Sequence, residues 1–129
     1  KGELLILKPD YKDSWLIPGG STDENESTLD CAIREVKEEI GIDILDPQLV
    51  GIYYAHEKGV YTDSLKFIFY GGTLSENQIS LIKLQTEELE KFTFLSSEKA
   101  LPLLSGSLQK SLAKCFEAIK NKTVVYLES

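Results

Sequence analysis

Residues 20–42, GSTDENESTLDCAIREVKEEIGI, decide how this chain is read. Idealised as a helix at about 100° per residue, residues 27–40 sort their side chains onto separate faces. Leu29, Ala32, Ile33, Val36 and Ile40 form an apolar stripe suited to a core. Glu35, Glu38 and Glu39, related by i, i+3 and i+4, stand on another. Like charges at that spacing repel one another, and a divalent cation offsets them directly, since hard Mg2+ prefers carboxylate oxygens together with phosphates and water. Arg34 and Lys37 flank the cluster and neutralise part of it. The plain alternative is a solvated acidic face on an ordinary amphipathic helix. Both ends of the helix are marked. Ser27 is a good N-cap with Asp30 three residues later, so the helix starts near Thr28. Gly41 stands where a left-handed C-cap is expected, with Ile42 able to fold back as its hydrophobic contact.

The spacing is more specific than the acidity. Gly20, five residues, Glu26, seven residues, Arg34-Glu35-Val36, one residue, Glu38-Glu39, one residue and Gly41-Ile42 together resemble the Nudix box at every constrained position. The preceding Trp15-Leu16-Ile17-Pro18-Gly19-Gly20 resembles the strand and turn that enter the box in Nudix hydrolases. This resemblance implies an α+β protein, an α/β/α sandwich with a mixed β-sheet. It also implies metal-dependent hydrolysis of a nucleoside di- or triphosphate derivative by water attack at phosphorus, with an NTP- or dNTP-cleaving type favoured. The implied cofactor is Mg2+ or Mn2+, with Glu35, Glu38, Glu39 and the Gly20 carbonyl as metal ligands. Glu35, Arg34 and Glu38 are the implied catalytic residues. Glu35 is ligand, general base or both; Arg34 orients a box glutamate through a charge-assisted bond; Glu26 is a nearby structural or outer-shell carboxylate. Family members often draw a further ligand or base from a later loop, for which Glu87 and Glu88 are the candidates, an acidic surface turn being the competing reading. Gly19 and Gly20 equally suit a plain tight turn.

The whole chain bounds this reading. With 129 residues, 42% hydrophobic and 27% charged, it is long enough for one domain over 1–129 with a real core. No apolar run approaches the roughly 20 residues that span a bilayer, and no leader segment is recognisable, so a cytoplasmic protein without membrane contact is expected. A net charge of −7 argues against polymeric nucleic acid and leaves a small-molecule nucleotide substrate. Cys31 and Cys115 lack a CxxC partner, which disfavours a disulfide scaffold or a zinc site. Cys31 lies one turn before Glu35 and either borders the acidic face or packs as a small thiol. His56 is the only histidine, and no GxSxG elbow supports a serine triad. The chain begins at Lys1 and contains no Met, so some N-terminal sequence is expected to precede it. A monomer or homodimer is anticipated.

Outside the box, strands are predicted over 3–8, 15–17, 49–56, 65–73, 91–95 and 123–128. The 65–73 strand carries Phe67 and Phe69 on one face and Ile68 and Tyr70 on the other, which predicts a sheet covered on both sides. Gly71-Gly72 suggests a bulge or a close backbone approach. Lys58-Gly59 with Thr62-Asp63 marks a loop, 75–85 is ambiguous, a short helix capped by Ser97 is expected over 97–104, and 107–121 is a clear amphipathic helix. Trp15, Tyr53, Tyr54, His56, Tyr61, Phe67, Phe69 and Tyr70 include groups able to stack on a base, although most strand aromatics are core; the substrate-binding residues stay undetermined. Two other classes remain open: a non-catalytic Nudix sensor of a nucleotide or ADP-ribose-like ligand that regulates a partner, and a structural domain with incidental acidity.

Overall fold

Strand β1 (Glu3–Pro9) sets the layers, because its alternate side chains enter different cores in a computed structural model that describes residues 2–56 and 63–129. Ile6 joins Val50, Ala100, Leu104, Leu112, Cys115 and Ala118, whereas Leu7 joins Ile40, Ile42 and Leu89. This follows from the period-two alternation of a strand, and it makes β1, not the 65–73 segment, the strand buried on both faces.

The remaining elements are α1 (Thr28–Ile40), β2 (Gln48–Ala55), β3 (Ser64–Tyr70), α2 (Glu76–Ser80), β4 (Leu89–Ser96), α3 (Ser97–Ala100), a 3-10 turn at Leu101–Leu103, α4 (Gly106–Asn121) and β5 (Val125–Glu128). β1 pairs antiparallel with β4. A second sheet has the order β3-β2-β5, antiparallel between β2 and β3 and parallel between β2 and β5, so it is mixed. Helix α4 packs on β2 and β5 on one side, and α1 approaches β3. The β5 strand, within the predicted 123–128 stretch, thus covers the edge of β2 that β3 leaves open.

Several local expectations need correction. β3 is an edge strand with Leu65 and Phe67 56% and 36% exposed on one face and Tyr70 37% exposed on the other, so neither of its faces is fully covered. The register shift lies between Leu49 and Gly51 in β2, and Gly71-Gly72 follows β3 without forming a bulge in it. Gly51 is required by packing: a Cβ there would lie 2.5 Å from the Cys115 sulfur on α4. The ambiguous 75–85 stretch opens with α2, closed by a capping box in which Ser75 and Gln78 bond each other's backbone N–H. Ser96, not Ser97, is the cap of α3. The loop signal at Lys58-Gly59 and Thr62, and Tyr61, lie outside the described residues. No described helix is long and apolar enough to cross a membrane.

Candidate active site

The acidic helix is built as its sequence implies. Ser27 Oγ accepts from Asp30 N at 3.0 Å, and Gly41, at φ 74°, donates its N–H to Lys37 O at 2.9 Å. Ile40 and Ile42 are buried in the second core, whereas Leu29 is 39% exposed and drops out of the apolar stripe. The sheet side positions the entering turn. Leu7 and Leu16 exchange two backbone hydrogen bonds of 2.7 Å, which brings Pro18, Gly19 and Gly20 against α1.

There the turn meets the carboxylates. Gly19 N donates to Glu39 Oε1 at 2.8 Å. The Glu35 carboxyl lies over Gly20 so closely that a Cβ on Gly20 would sit 2.6 Å from Glu35 Cδ. A side chain at position 20 would have to displace the Glu35 carboxyl. Arg34 is the hub. Its Nε and Nη2 bond both oxygens of Glu26 at 2.7 and 2.9 Å, Nη2 reaches Ser21 O at 3.2 Å, and Nη1 bonds Glu35 at 2.8 Å and Glu38 at 2.9 and 3.1 Å. Charge-assisted bonds of this kind are the strong ones. They hold the Glu26 carboxyl down at about 2 and raise the Arg34 guanidinium further. Glu39 behaves oppositely: burial, with the charges of Glu35, Glu38 and Glu88, pushes its carboxyl up to about 7 against the stabilising Gly19 N–H.

The later acidic loop divides. Gln85 N and Lys83 N donate to Glu39 O and Ile40 O, each at 2.9 Å, and so dock this segment on the end of α1. Glu87 and Glu88 are both exposed, but Glu88, whose carbonyl accepts from Asp10 N at 3.0 Å, lies near enough for its charge to contribute to the Glu39 shift. Cys31, buried, points its thiol at Gly20 O across 3.6 Å, so it both packs and borders the site. Burial and the Glu26 charge raise that thiol.

Sequence reasoning missed the contact of Gly20 with the Glu35 side chain and the docking of 83–85, whereas the one-turn spacing of Cys31 to Glu35 already pointed to its place. The first was signalled by the fixed glycine before the helix; backbone pairing of 83–85 left no side-chain pattern. Among the aromatic candidates, Tyr53 is 7% exposed and Trp15 is partly buried against the first core, which makes both structural. Tyr54 and His56 share Asp63, at its Oδ2 and Oδ1 respectively, at the Ala55–Ser64 end of the β2–β3 pairing.

The donor set suits a hard divalent cation: three glutamates on one face, a side-chain-free glycine beneath one of them, and a carboxyl made reluctant to ionise by burial and then by its acidic neighbours. As the side chains stand, no three His, Cys, Asp or Glu residues among the described ones are gathered in a geometry that holds a metal ion. Two of the three are turned onto Arg34.

The family model described as NUDIX domain matches residues 1–117. The chain is 46% identical over 44 residues to the m7GpppN-mRNA hydrolase of Saccharomyces cerevisiae, covering 34% of this chain and 4% of that protein. It is 41% identical over 51 residues to the Nudix hydrolase YvcI of Bacillus subtilis, covering 40% and 32%. The chain therefore spans a third or less of either relative. Its fold superposes on the MutT protein of Bacillus halodurans with a TM-score of 0.72 at 20% identity, over 97% of this chain and 79% of that one.

Proposed function

Since the chain belongs to the NUDIX domain family, we propose that it is a pyrophosphohydrolase of a nucleoside di- or triphosphate derivative, with an NTP- or dNTP-type substrate favoured. The observation that carries this is that Glu35 and Glu39 meet the Gly19-Gly20 turn while Arg34 gathers Glu38 to Glu35 on the same helix. Glu35, Glu38, Glu39 and the Gly20 carbonyl would hold Mg2+ or Mn2+. When bound, such an ion neutralises diphosphate charge and lowers the pKa of a coordinated water.

The chain's own groups supply the rest. Arg34 fixes Glu35 by one oxygen, Oε1, which leaves Oε2 to take the proton from the attacking water. The water oxygen bonds to phosphorus, the anhydride P–O bond breaks on the opposite side, and the departing phosphate carries away its electron pair. Arg34 serves as a positioning residue, and Glu26 keeps it in place. Glu88 stands by as a further carboxylate beside Glu39.

Product analysis over NTPs, oxidised dNTPs, ADP-ribose, dinucleoside polyphosphates and capped RNA, with Mg2+ or Mn2+, tests the reading. Cleavage of a phosphoanhydride is expected for at least one of them. The capped RNA arm is included because one relative is named for that substrate, while the net charge of −7 disfavours a polymer. Silence over the panel from a metal-loaded protein would replace the enzyme by a ligand sensor.

A further inference from the structure

Arg34 is the only arginine of the chain, and all five of its N–H donors are engaged. Nε and Nη2 are committed to Glu26 and Ser21 O, while Nη1 is divided between Glu35 and Glu38. The two partners of Nη1 are not equivalent. The Glu35 side chain is 17% exposed and pressed over Gly20. The Glu38 side chain is 53% exposed and has no other side-chain partner among the described residues. An exposed i,i+4 ion pair is weak and easily surrendered, whereas the two-pronged Glu26 contact is strong and geometrically fixed.

We propose that Glu38 is an exchangeable partner of Arg34: in the metal-free protein Nη1 stands in for the cation at this carboxylate, and loading transfers Glu38 from Arg34 to the ion. Glu26 and Glu35 keep the guanidinium where it was. The inference rests on the reading of α1 as a cation site and adds which ligand moves. Two consequences follow. The Arg34 contact offsets the mutual repulsion of adjacent carboxylates, because it neutralises one of them. Loading then requires one exposed side chain to rotate, with the helix, the Gly19-Gly20 turn and the Glu26–Arg34 pair left in place.

The lone arginine makes the test clean. In the full chain labelled with 15N-arginine, one guanidinium gives every side-chain signal, and Mg2+ alone is titrated while calorimetry follows its binding. The expected result on saturation is loss of protection for the one Nη1 proton that faces Glu38, with the Nη1 proton bonded to Glu35 and Nε–H unchanged. Glu38→Gln in the metal-free protein should weaken the same Nη1 signal without Mg2+. Calorimetric binding with Nη1 unaltered would overturn the exchange and leave the cation site standing. Loss of Nε–H together with Nη1 would overturn it as well, because the whole guanidinium would then have let go. Absence of any Mg2+ binding would overturn both the exchange and the catalytic reading.

Discussion

Gly20 separates a backbone requirement from a chemical one. No left-handed φ is demanded of it; what excludes a side chain is the Glu35 carboxyl, the end of a flexible chain that an added methyl would push aside. Gly20→Ala is therefore expected to leave the melting temperature nearly unchanged, within the ±0.5 kcal/mol or so typical of mild substitutions, while turnover falls at least about tenfold, the cost of roughly 1.4 kcal/mol of lost positioning. Thermal melts and initial rates check it; a parallel loss of stability would show the glycine to be architectural. Glu39 carries a pH signature. Its carboxyl titrates near 7 in the fold against an ordinary 4.5, so the native state holds a proton that the unfolded chain releases. Stability of the metal-free protein should fall as pH rises through that window. Glu26, held down at about 2, works the other way: its contribution is complete above pH 4.5 and is lost as pH falls towards 2. Melting curves in chelator at pH 5 and pH 7.5 should show a drop for the parent and a smaller one for Glu39→Gln. Equal drops would mean that the crowded carboxyl is not the cause. None of these environments was legible from residue identity, because burial of Glu39 and the approach of Glu88 come from contacts between distant parts of the chain.

Elements were read well where local chemistry decides them. Ser27 and Gly41 marked both ends of α1, and α4 followed from the recurrence of Leu108, Leu112, Cys115, Phe116 and Ile119. Errors fell where partners decide. The aromatic β3 looked doubly covered, but its place at a sheet edge leaves Leu65 and Phe67 exposed. Gly71-Gly72 lies beyond the end of β3 and forms no bulge in it, whereas the real irregularity sits beside Gly51, whose missing side chain admits the Cys115 sulfur. That contact yields a packing prediction. Gly51→Ala should destabilise by about 1–3 kcal/mol, the usual cost of overpacking a core, and adding Cys115→Ala should restore much of it, since the two sites share one space. Denaturant unfolding of the single and double variants measures the coupling; additive effects would deny that the sulfur and the glycine meet.

At the scale of the molecule, the box named the family and the mixed sheet before any coordinates, because its spacing encodes one helix, one turn and one set of charges that must coincide. Everything that selects a substrate lies elsewhere. Two aromatic candidates, Trp15 and Tyr53, are structural, and the Tyr54–Asp63–His56 cluster is formed by strand pairing that no local pattern announced. The carboxylates of α1 are proposed to hold a divalent cation. Mn2+ binding, followed by the disappearance of the free-ion signal in electron paramagnetic resonance, tests this on the parent and on a folded variant carrying Glu35→Gln, Glu38→Gln and Glu39→Gln together. Saturable binding by the parent and none by the variant is expected. Equal binding by both would place the ion away from α1.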